Sequence, residues 1–74
     1  MKNDIHISKF IFDYRKKHGL TQQAFAERLG VSAMAVSKWE RERCYPDLFL
    51  LSDLSELLGV SIDEMLGKNP SADP

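Results

Sequence analysis

Side chains suited to covalent or metal chemistry are few in this chain. The single cysteine is Cys44, and the two histidines, His6 and His18, are far from it in sequence. These three form no metal-ligand spacing, and Cys44 has no second cysteine with which to bridge. There is no paired carboxylate in a credible cleft, no Cys/His arrangement and no glycine-rich loop to cradle phosphate. An enzyme therefore has no support, and neither a metal nor a cofactor is expected. What remains is binding chemistry, concentrated in the stretch VSAMAVSKWE at residues 31–40. On a helix, Ala35, Val36 and Trp39 of this stretch fall within about 100° of arc, as a buried face should. Ala33, Met34, Ser37 and Lys38 fall on the opposite side, across roughly 140°. Alanine and methionine offer apolar contact there, serine a hydroxyl and lysine a cation. A merely solvated helix face has the same composition.

Charge adds a direction. The net charge of the 74 residues is −1, which does not advertise a polyanionic partner. Residues 1–43, however, hold nine Lys/Arg against five Asp/Glu, and residues 44–74 hold one against six. Such a chain can present one basic face and one acidic face. At 74 residues and 43% hydrophobic, it suits one domain with a compact helical core. No apolar run approaches the roughly 20 residues that span a bilayer, and no secretory leader is visible. A cytoplasmic protein is expected, with no membrane contact.

Five helices are needed to position these groups. The first is expected over residues 5–17, capped by Asn3 or Asp4, with Ile7, Ile11 and Tyr14 as its stripe. Its last turn, Arg15-Lys16-Lys17-His18, suits the negative end of the helix dipole. Thr21 caps a second helix over 22–29, with Phe25, Ala26 and Leu29 facing inward. Ser32 caps a third over 33–40. Pro46 and Asp47 introduce a fourth over 48–58, whose main stripe is Leu48, Leu51, Leu54, Ser55 and Leu58. Phe49, Leu50 and Leu57 lie beside that stripe. Ser61-Ile62-Asp63-Glu64 is a capping box that opens a short fifth helix. Residues 1–67 form the expected domain, and 68–74 read as a flexible tail. The link Gly30-Val31-Ser32 is too short for antiparallel helices, so the second and third must cross steeply. That describes a helix-turn-helix in an all-α, compact five-helix domain.

GLTQQAFAERLGVSAMAVSKWERERCYPD, residues 19–47, resembles the lambda-repressor/Cro-type helix-turn-helix of the Xre family. LLSDLSELLGVSIDEML, residues 50–66, is similar to that family's last two helices. The resemblance implies a DNA-binding domain whose third helix enters the major groove. The outward residues Ala33, Met34, Ser37 and Lys38 would then read base edges. Ala33 and Met34 would pack on thymine methyl groups, while Ser37 and Lys38 would bond bases or phosphates. It also carries a phosphate contact onto Gln22 and, less directly, Gln23 at the start of the second helix. Arg41, Arg43 and Tyr45 would grip the backbone beyond the third helix, with Lys9, Lys16 and Lys17 as weaker candidates. Arg15 and Glu40 would form an internal ion pair. One residue departs from the pattern. Glu42 stands where the family usually has a glycine that ends the third helix in a left-handed conformation.

Members of this family usually act as two-fold dimers on half-sites about 34 Å apart. Three large apolar residues outside a helix stripe, Phe49, Leu50 and Leu57, imply a second buried face that the fifth helix or a partner subunit could cover. They are the expected dimer surface; the contrasting reading puts Leu50 and Leu57 under the fifth helix and leaves Phe49 exposed. The resemblance thus implies a sequence-specific transcriptional regulator, a bacterial or phage repressor, acting as a homodimer on a two-fold symmetric operator in double-stranded DNA. An antitoxin or operon controller would share this chemistry. A module of the same fold that binds a protein partner instead of DNA is the contrasting reading, favoured by low net charge, the apolar outward face and Glu42.

Overall fold

The computed structural model describes residues 6–67. It contains α1 (Ile7–His18), α2 (Gln22–Leu29), α3 (Ala33–Glu40), α4 (Leu48–Leu58) and α5 (Ile62–Met65). Four of the five starts follow from a side chain that accepts a bond from an otherwise unpartnered helix N–H. Thr21 accepts from the Ala24 N–H at 3.0 Å, Ser32 from Ala35 at 3.1 Å and Asp47 from Leu50 at 2.9 Å. Ser61 accepts from Glu64, whose carboxylate accepts in return from the Ser61 N–H, so the capping box is complete.

The start of α1 differs from expectation. It begins at Ile7, two residues late, with His6 at the N-cap position and no side-chain cap bond. The expected caps Asn3 and Asp4 lie outside the described residues, as does the tail 68–74. The His6 N–H donates instead to the Met65 carbonyl at 2.8 Å, so α5 anchors this end of α1.

Eight apolar side chains form the buried core: Ile7, Ile11, Phe25, Ala26, Val36, Trp39, Leu54 and Met65. Every helix supplies at least one. Tyr14 is half-buried and meets the Phe25 ring edge-on, with centroids 5.9 Å apart. The stripe expected on α4 is corrected at one position. Leu48 is exposed, because at the first helical position its side chain leans back past the helix end. Pro46 is buried just before it. Leu50 and Leu57 are half-buried and pack against the core, whereas Phe49 is 84% exposed.

Helices α2 and α3 pack together more extensively than any other pair. The bend between them rests on Gly30 at φ 75°, a left-handed conformation that glycine adopts without a Cβ penalty. The Val31 N–H reaches back to the Ala26 carbonyl at 3.0 Å and closes the end of α2.

Candidate nucleic-acid interface

Val36 and Trp39 anchor α3 in the core, and this fixes which face looks out. Met34 is 65% exposed and Lys38 is exposed, while Ala33 and Ser37 are half-buried. The four residues expected on the outward face therefore share it, and Ala35 is half-buried on the inner side.

A single network holds that helix. Arg15 on α1 donates through Nε to Glu40 Oε2 at 2.6 Å and through a terminal nitrogen to Oε1 at 2.9 Å. This two-point fork is the geometry in which arginine outperforms lysine. The other terminal nitrogen of Arg15 donates to the Leu20 carbonyl at 2.9 Å, and Gln22 Nε2 donates to Glu40 Oε1 at 3.1 Å. The expected Arg15–Glu40 pair is thus formed, and it joins α1, the α1–α2 turn, α2 and the last residue of α3. The two side chains are only 12% and 8% exposed. Hydrogen bonding to Glu40 raises the Arg15 pKa above its ordinary value, against the opposing effect of burial, and the charge of Glu40 adds to the rise.

Around this network lie the expected backbone-gripping residues. Gln22 and Gln23 are the first two residues of α2, where backbone N–H groups point out of the helix end. Their side chains are held within the fold, Gln22 by Glu40 and Gln23 by Glu27 at 3.2 Å. Arg41, Arg43 and Tyr45 are exposed in the segment after α3. The ion pairs among the described residues are Arg15–Glu40 and an exposed Lys9–Asp13 pair, so no described carboxylate pairs with Lys38, Arg41 or Arg43. Lys16 sits 5.4 Å from the Phe12 ring centre, and Arg15 lies over the same ring at 5.6 Å. Sequence reasoning missed the Gln22 and Leu20 arms of the network. No local pattern announces a bond between residues 18 apart, although glutamine at the first position of α2 was a visible cue.

Glu42 does adopt the left-handed conformation, at φ 60°, and α3 ends as though glycine were present. Its N–H donates to the Trp39 carbonyl at 3.1 Å, and the Arg43 N–H donates to Lys38 at 2.8 Å. These two bonds make the Schellman ending.

An outward helix face, pinned through its last residue and flanked by exposed cations, defines a helix-turn-helix binding domain. A family model described as Helix-turn-helix matches residues 11–65, and the chain belongs to this lambda-repressor-like family. Over 52 residues, 70% of this chain, it is 44% identical to the HTH-type transcriptional activator BcrR of Enterococcus faecalis. Over 63 residues, 85% of the chain, it is 38% identical to the HTH-type transcriptional regulator ImmR of Bacillus subtilis. The chain spans about a quarter of the first relative's length and half of the second's. Among solved structures it is similar to the P22 c2 repressor protein in complex with a synthetic operator, with a TM-score of 0.76 and 34% identity. That match covers 86% of this chain and 97% of the other. No helix among the described residues is long and apolar enough to cross a membrane.

Proposed function

We propose that this chain is the sequence-specific DNA-binding domain of a transcriptional regulator, with α3 lying in the major groove. The observation that carries the reading is the outward face of α3, held in register by the Arg15–Glu40–Gln22 network. The likeness to the P22 c2 repressor, solved with a synthetic operator, supports it. In this reading Ala33 and Met34 pack against thymine methyl groups, Ser37 bonds a base edge or phosphate, and Lys38 reaches guanine O6 and N7. Backbone N–H groups of Gln22 and Gln23 meet one phosphate at the start of α2. Arg41, Arg43 and Tyr45 meet the backbone beyond α3. Phosphate contacts set position and the α3 face sets sequence.

The domain acts as a homodimer on a two-fold operator. Phe49, at 84% exposure, leads the dimer surface, next to Leu48 at 75%, and Leu50 and Leu57 lie behind it on α4. Selection of random duplex DNA by the purified protein, repeated with Lys38→Ala, tests the whole reading. A symmetric motif that loses its guanine positions in the variant is the expected outcome. Absence of any enriched sequence at low salt would overturn it.

A further inference from the structure

Glu42 is the one non-glycine residue at positive φ among those described. A residue with a Cβ is disfavoured in that conformation, and glycine would enter it freely. The glutamate side chain offsets this by reaching across the fold. Ser8 Oγ donates to Glu42 Oε2 at 3.0 Å, joining residues 34 apart in sequence. Ser8 lies in the first turn of α1, a helix start with no side-chain cap and no acidic residue of its own in that turn. A helix N-terminus favours negative charge, and the Glu42 carboxylate brings it there from the far end of α3. Directly beside Glu42 in the chain are the exposed cations Arg41 and Arg43.

We propose that Ser8 and Glu42 form a clip that positions the Arg41–Arg43 turn for the DNA backbone. Ser8 Oγ keeps the carboxylate at the start of α1, away from phosphate. The held carboxylate in turn fixes the left-handed turn that presents the two arginines. Both are positioning residues, and the inference rests on the DNA-binding reading above. A carboxylate released between two arginines would neutralise them or repel phosphate, and either effect weakens an electrostatic contact.

Ser8→Ala removes the hydroxyl of a half-buried residue outside the core and leaves a better helix former, so the fold is expected to be retained. Four forms of the 74-residue chain are compared: native, Ser8→Ala, Glu42→Gly and the double variant. Affinity for random-sequence duplex DNA is read at low salt by fluorescence anisotropy. Exchange of the Arg43 amide is read by NMR without DNA. Ser8→Ala is expected to weaken binding about three- to tenfold, the range of one net hydrogen bond, and to speed Arg43 exchange. In the presence of Glu42→Gly the same substitution should change neither. Unchanged binding in Ser8→Ala, or an equal loss with and without Glu42→Gly, overturns the clip. If the native chain binds no duplex, the DNA reading fails and the positioning role fails with it. Arg43 exchange then reports separately whether the tie to α1 exists.

Discussion

The Arg15–Glu40 pair is where single residues matter most to this molecule. Its carboxylate has three donors, two from Arg15 and one from Gln22, and both charged groups are nearly enclosed. Removing one member of such a pair strands the other in a poorly solvated site, which costs about 3–5 kcal/mol. That is most of the stability of a domain this small. Arg15→Ala is therefore expected to leave a largely unfolded chain, measured as loss of the cooperative urea transition. Arg15→Lys keeps the charge but loses the fork and the bond to Leu20, so an intermediate midpoint is expected. The raised Arg15 pKa gives this contribution a definite pH sense. Stability from a raised pKa is present below the unfolded value and lost as pH rises through the folded one. Both values are those of an arginine, so alkaline titration of Arg15 does not weaken the pair near neutral pH. Met34 belongs to the same scale with the opposite character. It is 65% exposed and supports nothing in the core, so Met34→Ala should leave stability unchanged. If its methyl-packing role is right, the variant loses preference at thymine positions in duplex selection.

At the scale of elements, local signals carried most of the fold. Thr21, Ser32, Asp47 and Ser61 each begin a helix through a bond to a nearby N–H, and such short-range chemistry is written in adjacent residues. The faces of α2 and α3 followed from helical periodicity for the same reason. Four features were not legible. The late start of α1 depends on a backbone bond from His6 to Met65, and the Gln22 and Ser8 ties join residues distant in sequence. Leu48 fitted the stripe of α4 by spacing, but the first helical position has no preceding turn for its side chain to lie over. Glu42 was visible as a departure, while its partner on α1 was not. The roles proposed for the candidate interface rest on the family resemblance alone, because an outward face of Ala, Met, Ser and Lys has no chemistry peculiar to DNA. Capping gives this scale its test. Ser32 supports the start of α3, so Ser32→Ala should destabilise the protein by about 1 kcal/mol. α3 remains anchored by Val36, Trp39 and Glu40, so a lower urea midpoint with an unchanged DNA preference is expected.

The whole molecule presents a problem of sign, since a chain of net charge −1 is proposed to bind a polyanion. The uneven distribution resolves it. Lys38, Arg41 and Arg43 lie on or just beyond α3, without a carboxylate partner among the described residues. Asp47, Asp53, Glu56, Asp63 and Glu64 lie at the start of α4 and beyond it. Binding should therefore depend steeply on salt despite the net charge of −1, because only cations that meet phosphate release counterions. Two such contacts per domain, from Arg41 and Arg43, predict a slope of log affinity against log salt of about −2 for one domain and about −4 for a dimer. The difference makes the slope a reading of assembly as well as of charge. Phe49 offers the means to separate the two states. At 84% exposure it contributes little to the core, so Phe49→Glu should leave the urea midpoint close to native. A carboxylate at a self-complementary two-fold contact would face its own copy, and the dimer should be lost. The expected result is a native-like fold that binds more weakly and with the shallower slope. A variant that keeps the steep slope would remove Phe49 from the interface, because the charge on α3 would then be working in pairs without it.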